Sequence, residues 1–501
     1  MRNFKCVITI VLLLSTISIE ANDERFDGDF LGDIVNELKN KSGLLSGTSI
    51  AIVKGDKVIY KGNFGYKNIA RRLPVDDQTQ FYIASTTKPM TALNYLIDAK
   101  EDEALSKLTL IDMFPEFALE ERNAIRAEQL LQHTASINNP PLVLATAYSG
   151  VHSPSILERL VNNQSITSSE NVGEFKYTNV GYNIYSIFSD KHFESSWQQK
   201  LTTQIFKPAG MHSTTAKYTA IEESSNVALT YSLVNRNRND VINLSKVDKT
   251  MHAAGGVYST ASDLARFLIA QINNGIIDGE QVYSPEIIAR SQVRRVKTNS
   301  KYGDFKRDGY AWGWYTGEFK NERMLHHFGG FSGVHAHLSF IPKHKLGLVV
   351  LNSEDYLSAN LTGIVANYVY GSLLGEKEIS RSVDDSVAKL VARLAGIDSI
   401  LEKEHNKIMS RDWSLSLPTT KYVGKYSNPL MGSINISLNK SGKLDVSWGV
   451  MYSESTGMDE IDQIRVELTP TKGSIINFNV SEQVESLEYK GLFFTKVDQS
   501  K

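Results

Sequence analysis

Ser85 and Lys88, three residues apart in Phe81-Tyr82-Ile83-Ala84-Ser85-Thr86-Thr87-Lys88-Pro89-Met90, are the pair with the clearest chemical potential. The segment passes from an extended apolar stretch into a helical one, so the spacing places Ser85 at a helix N-terminus with Lys88 one turn along, facing it. A serine hydroxyl becomes a nucleophile when a neighbour takes its proton. A helix start adds unpaired N–H groups and a positive dipole end for the negative charge that grows during acyl transfer. A lysine serves as that base only where desolvation or nearby cations displace its proton. The spacing alone is weak evidence: it recurs at Ser386-Val387-Ala388-Lys389 and Ser437-Leu438-Asn439-Lys440, where a capped helix or a solvated strand explains it.

Two further segments give Ser85 its context. Tyr177-Thr178-Asn179 follows Gly173-Glu174-Phe175-Lys176 and precedes an apolar helical run, and His327-Phe328-Gly329-Gly330 opens into a β hairpin. A phenol, ordinarily of pKa about 10, can shuttle a proton if a neighbouring cation such as Lys88 favours its anion. Asn179 can orient a substrate amide and the lysine together, and Gly329 and Gly330 let a substrate carbonyl approach the strand backbone. Taken singly, these are equally well a core tyrosine beside a turn asparagine and a histidine capping a strand before a glycine bend. Tyr66-Lys67-Asn68 shows how easily the second pattern arises. The order of all three carries the argument.

The elements that must position these residues can be read around them. Ser49-Ile50-Ala51-Ile52-Val53 and Val58-Ile59-Tyr60 flank the turn residues Gly55-Asp56, and 336–340 and 346–351 flank Pro342-Lys343-His344, giving two hairpins of an antiparallel sheet. Between them helical periodicity predominates, as at 89–99, 197–206 and 261–273. Strands at both ends with helices between predict one α/β (α+β) unit, an antiparallel sheet flanked by helices, over 22–380, closing with a helix at 361–374. Val383, Val387, Leu390, Val391, Leu394 and Leu401 fall at helical spacing in a charged background, so 381–418 reads as a helical connector. Beyond Pro418 short alternating runs such as Ile434-Asn435-Ile436-Ser437-Leu438 and Leu444-Asp445-Val446-Ser447-Trp448 predict a small all-β domain over 419–501.

Composition narrows the function classes. Fifty-four basic against 56 acidic residues give a net charge of −2, so no global field draws the chain to nucleic acid or an anionic membrane. The order Met1-Arg2-Asn3-Phe4-Lys5, an apolar run from Cys6 to Ile19, then Glu20-Ala21-Asn22 is that of a secretory signal with cleavage after Ala21. The run is shorter than the roughly 18 residues of a spanning helix, so an uncleaved anchor is the weaker alternative. A secreted or periplasmic location is expected, with no stable membrane insertion. Cys6 is the single cysteine, which leaves residues 22–501 without a thiol, a disulfide or a cysteine metal ligand. Sequons at Asn163 and Asn360 matter only in a glycosylating host.

With their surroundings, the three boxes resemble the β-lactamase-related serine hydrolases: class C β-lactamases, penicillin-binding carboxypeptidases, D-aminopeptidases and CubicO-type esterases. Ile125-Arg126-Ala127-Glu128-Gln129-Leu130-Leu131-Gln132-His133-Thr134-Ala135-Ser136, Ile205-Phe206-Lys207-Pro208-Ala209-Gly210-Met211 and the stretch from Ala253-Ala254-Gly255-Gly256 to Ala265-Arg266-Phe267 extend the likeness over 28–374. The resemblance implies Ser85 as nucleophile, Lys88 and Tyr177 as the acid/base pair, and Asn179 as a substrate-orienting residue. It puts His327 where relatives have Lys or His, and makes the N–H groups of Ser85 and Gly330 the oxyanion hole, with Gly329 beside them. From Tyr422-Val423-Gly424-Lys425-Tyr426 onward the tail is similar to the lipocalin-like barrel that often follows this domain. Two positions depart from the pattern. His327-Phe328-Gly329 lacks the hydroxyl of Lys-Thr-Gly that helps hold a substrate carboxylate, which disfavours a β-lactam or D-Ala-D-Ala specialist, and Ser136 stands where relatives commonly have glycine.

Other chemistries lack support in the sequence. His335 and His337 share a strand face near His326 and His327, but no His-Glu-x-x-His or carboxylate cluster completes a zinc site. There is no Gly-x-Ser-x-Gly elbow and no phosphate-cradling glycine loop, and no cofactor or metal is expected. The expectation is acyl transfer to water on a small-molecule or short-peptide substrate: an ester, a D-residue peptide or a β-lactam-like amide. The barrel is expected beside the cleft or between subunits of a homo-oligomer, restricting substrate length. The rival from another class is an inactive surface protein that binds cell-wall peptides in the same cleft.

Overall fold

The computed structural model describes residues 26–117, 125–167, 171–244 and 246–497. The expected signal peptide lies outside the described residues.

Eight antiparallel strands form the central sheet: β1 (Thr48–Lys54), β2 (Lys57–Phe64), β3 (Val296–Tyr302), β4 (Phe305–Tyr310), β5 (Tyr315–Phe319), β6 (Glu322–Phe331), β7 (Val334–Ile341) and β8 (Leu346–Asn352). Their spatial order is β3-β4-β5-β6-β7-β8-β1-β2. The two hairpins read from sequence are β1–β2 and β7–β8, and they join edge to edge, with Ile50 opposite Val350. Closure of the sheet by segments from both ends of the unit turns residues 65–295 into one long excursion, which carries Ser85 and Tyr177 back over the sheet.

Alternation within the strands explains why both hairpins read as near-continuous apolar runs. Ile50, Ile52, Leu348 and Val350 face a layer built by α1 (Gly28–Ser42), while Ala51, Val53, Val349 and Leu351 face the opposite layer. That second layer holds α2 (Lys88–Glu101), α3 (Val180–His192) and α4 (Ala261–Ile272). The first is completed by α5 (Ser358–Leu374), through Leu361, Val365 and Val369. A sheet covered on both faces needs apolar residues on both, and each fully buried aliphatic side chain contributes roughly 1.5–3 kcal/mol.

Past this unit, α6 (Ile379–Leu394) lays Ile379, Val383, Val387, Leu390 and Leu394 on α1 and α5, and α7 (Ile397–Met409) leaves Ile400 exposed. The connector helix is thus part of the outer layer. Nine strands follow: β9 (Gly424–Asn428), β10 (Gly432–Leu438), β11 (Leu444–Trp448), β12 (Met451–Glu454), β13 (Thr456–Gly457), β14 (Gln463–Thr469), β15 (Lys472–Val480), β16 (Val484–Tyr489) and β17 (Leu492–Val497). They pair in the order β12-β11-β10-β9-β17-β16-β15-β14-β13. The sheet curls until the Glu467 N–H of β14 donates to Ser453 Oγ of β12 at 2.7 Å, so it is a nearly closed barrel, filled by Ile434, Val446, Trp448, Ile464, Ile476 and Phe494.

The barrel is seated directly on the unit built around the eight-stranded sheet. Val450 N–H donates to the Ser149 carbonyl at 3.1 Å, and Ser332 Oγ, just past the end of β6, donates to the Pro470 carbonyl at 2.8 Å. A Cβ on Gly449 would lie 1.9 Å from the Ser149 oxygen, so the approach depends on that glycine.

Candidate active site

Ser85 is the second residue of a single 3₁₀ turn, Ala84–Thr87, that runs directly into α2 at Lys88. The tighter winding differs from the plain helix start expected, and it matters: three residues per turn eclipse positions i and i+3, which brings Ser85 and Lys88 into register. The turn is fixed on both flanks. Ile83 N–H donates to the Val257 carbonyl at 3.0 Å, the Ile83 carbonyl accepts from Thr86 Oγ1 at 2.7 Å, and Ala84 is held at φ +45°. Such a conformation is strained for a residue with a Cβ and persists because its neighbours over-determine it.

Lys88 Nζ, fully buried, lies 2.9 Å from Ser85 Oγ, 2.8 Å from Asn179 Oδ1 and 2.8 Å from the Ala254 carbonyl. Burial lowers its pKa well below the usual lysine range. A neutral amine has two hydrogens and one lone pair. Asn179 Oδ1 and the Ala254 carbonyl can only accept, so they take both hydrogens and the lone pair is left for the Ser85 hydroxyl proton. The amine is therefore oriented as a base.

Tyr177 reaches Ser85 from the other side. Its hydroxyl hydrogen-bonds Ser85, its ring centre is 4.9 Å from Lys88 Nζ, and 38% of its surface is open to the cleft. Desolvation raises its pKa above the ordinary phenol value. This differs from the sequence argument, in which Lys88 stabilises a phenolate: burial of the phenol opposes its anion and is the largest influence on it. The arrangement allows Lys88 to take a proton and Tyr177 to give one.

On β6, His327 is buried. Its Nδ1 donates to the Phe328 carbonyl at 2.8 Å, which leaves Nε2 to accept from the Tyr310 hydroxyl at 3.3 Å. Burial and the Lys88 amine depress its pKa, and its ring sits 6.0 Å from that of Tyr177. Gly329 and Gly330 divide the role assigned to both. A Cβ on Gly329 would lie 2.1 Å from the Ile83 oxygen and 3.2 Å from Ser85 N, so this glycine admits the Ser85 turn against the strand. Around Gly330 nothing lies within 4 Å of a built Cβ, and that residue is exposed, which leaves room for substrate.

Three participants had no role in the sequence reading. His133 lies tilted against Tyr177 at 4.5 Å, accepts from Thr178 N–H at 3.3 Å through Nδ1 and has φ +61°, with Ser136 also left-handed at +48°. The carbonyl of Ala254 holds Lys88, as stated, while that of Ala253 accepts from Thr91 Oγ1 at 2.8 Å, which makes the Ala-Ala-Gly-Gly box a clamp on α2. The quoted motifs contained both signals. Arg307 had none: it lies on β4 and stacks 3.7 Å over Tyr315, whose ring faces Tyr177. His326, His335 and His337 occupy the opposite face of the sheet, away from His327. His335 is committed to Tyr302 (3.2 Å) and Thr362 (3.3 Å), and no metal-holding group of His, Cys, Asp or Glu occurs among the described residues.

An antiparallel sheet with a serine and a lysine sharing one turn, and a tyrosine brought to them from a distant helix start, defines a β-lactamase-fold serine hydrolase. Residues 35–364 match the Beta-lactamase family, and the chain belongs to it. It is similar to Protein flp of Staphylococcus aureus (strain MW2), 24% identical over 330 residues that cover 64% of this chain and 63% of that protein, so it spans under two thirds of that relative's length. Among solved structures it resembles the octameric penicillin-binding protein homologue from Pyrococcus abyssi (TM-score 0.58, 21% identity, 94% of this chain and 100% of that one). It also resembles EstCE1, a hydrolase with promiscuous acyltransferase activity (TM-score 0.58, 16% identity, 68% and 98%). The first likeness includes the C-terminal barrel. Among the described residues no helix is long and apolar enough to cross a membrane.

Proposed function

We propose that the protein hydrolyses acyl compounds through a covalent intermediate on Ser85. The observation that carries this reading is the convergence of three separated segments on one oxygen, with Lys88 Nζ 2.9 Å from Ser85 Oγ and Tyr177 bonded to the same residue. Ser85 Oγ attacks the substrate carbonyl carbon as its proton passes to the Lys88 lone pair. The N–H groups of Ser85 and Gly330 receive the oxyanion, and the leaving group departs with a proton delivered through Tyr177. Asn179 holds the amine while it gains and loses charge. Water then attacks the acyl-enzyme by the same route in reverse.

Esters, D-residue peptides and β-lactam-like amides all fit this chemistry. Support for esters and short peptides over β-lactams comes from Phe328, which replaces the hydroxyl residue of Lys-Thr-Gly and turns its side chain to the far face, against His337. The barrel, seated beside Ser332, limits how far a substrate extends along β6, and assembly into a homo-oligomer would narrow access further. Export through the N-terminal signal would place the reaction outside the cytoplasm. The test compares wild type with Ser85→Ala on p-nitrophenyl acetate and nitrocefin, with fluorophosphonate labelling. Turnover and labelling both vanish in the variant if the reading is right. Equal rates would favour the inactive peptide-binding alternative.

A further inference from the structure

Four lysines are buried among the described residues: Lys39, Lys88, Lys200 and Lys246. Two face carboxylates, Lys39 with Glu354 in electrostatic reach and Lys200 bound to Asp98 at 2.6 Å. Lys88 is the base. Lys246, 4% exposed, has no such explanation. Its ammonium donates to the Ala147 carbonyl at 2.8 Å and otherwise lies between rings, 4.1 Å from the centre of Phe331 and 5.0 Å from that of Tyr82. No carboxylate acts on it, and burial alone draws its pKa down to about 7. An ammonium has three hydrogens to donate and this one meets a single carbonyl, so an anion brought here would favour its charged form and accept a hydrogen the fold leaves open.

The position is next to the reaction centre. Phe331 directly follows Gly330 on β6, and Tyr82 lies in the strand that leads into the nucleophile turn. His252 packs beside Gly255 and Ala84, and its pKa is lowered by burial and by both Lys246 and Lys88. Lys246 also lines a cavity of about 400 Å³ with Tyr218, Thr230 and Tyr258, at whose rim Arg71 and Glu222 are exposed and of opposite sign. Lys246 thus lies between this cavity and the rings of Tyr82 and Phe331 beside the Ser85 turn.

We infer that Lys246 anchors a carboxylate on the acyl part of the substrate, so that the enzyme selects acyl donors carrying a free acid away from the scissile bond. This rests on the Ser85 acyl-enzyme reading and adds its substrate class. Phe331 then separates two functions. Its backbone side belongs to the oxyanion strand, and its ring, stacked on Tyr148 (5.5 Å), roofs the cation.

The experiment measures kcat/KM for p-nitrophenyl hemiesters of adipic, pimelic and suberic acids beside p-nitrophenyl hexanoate and octanoate, in wild type, Lys246→Met and Lys246→Gln. A charge-assisted hydrogen bond supports a preference of roughly 10- to 100-fold, expressed mainly in KM. Wild type should therefore prefer a hemiester at some chain length, and both variants should lower the hemiester-to-neutral ratio at least ~10-fold. A wild type that prefers neutral esters at every length overturns the inference even if neither variant folds. So does a ratio that the variants leave unchanged. If no ester is cleaved in a Ser85-dependent way, the acyl-enzyme reading has failed. The anchor is then judged by calorimetry of monomethyl adipate binding to the full-length Ser85→Ala protein with and without Lys246→Met: loss of binding on adding Lys246→Met supports it, and equal or no binding overturns it.

Discussion

Gly329→Ala tests how tightly the strand and the nucleophile turn are coupled. The added methyl would stand 2.1 Å from the Ile83 oxygen, whereas a carbon and a carbonyl oxygen normally approach no closer than roughly 3.3 Å. The obstacle is backbone, so about 1 Å of relative movement between β6 and the turn is forced. That carbonyl also accepts from Thr86 Oγ1, so the movement passes directly into the turn that carries Ser85. Overpacking of this kind destabilises by about 1–3 kcal/mol, and a 1 Å misplacement of reacting groups lowers rate by ~10². Thermal melting and the rate of fluorophosphonate labelling measure the two effects separately. Gly330→Ala, with open space at its Cβ, should melt as wild type does. Wild-type labelling by a fully folded Gly329→Ala protein would refute the coupling.

Four more outcomes follow from the geometry. Lys88→Met should lower kcat by ~10²–10⁴ without unfolding the chain, since it removes the base and no ion pair. In wild type, kcat/KM should fall as pH drops through the lowered Lys88 pKa, because a third proton occupies the lone pair aimed at Ser85; a rate that rises on acidification would contradict the assignment. His335, held neutral with a pKa of about 4, favours its uncharged form in the fold, so the stability it contributes is complete above about pH 6.5 and is lost as pH falls toward 4. The loss reaches about 3 kcal/mol, and urea titrations of His335→Gln should show one proton less of pH dependence in that window. Gly449→Val should push the barrel from the Ser149 carbonyl and admit longer acyl chains, measured as a flatter dependence of kcat/KM on chain length.

The positions of Ser85, Lys88 and Tyr177, both hairpins and the alternation of the barrel were legible because each is a local pattern. Residue spacing in a turn, period two in a strand and glycine at a bend leave their mark within a few residues. The extra matches at Ser386 and Ser437 stand on α6 and in the barrel, away from the segment that carries Tyr177.

What the tertiary structure alone decided is the environment in which each proton is held. Burial lowers the Lys88 pKa because segments 91 and 166 residues away, which carry Asn179 and Ala254, pack around its amine. Tyr177 keeps its proton for the same reason, His327 turns to Tyr310, and Lys246 acquires its place under Phe331. The sequence names the groups that can react; long-range packing sets the dielectric and the partners at each one, and those determine which group takes a proton and which gives it up.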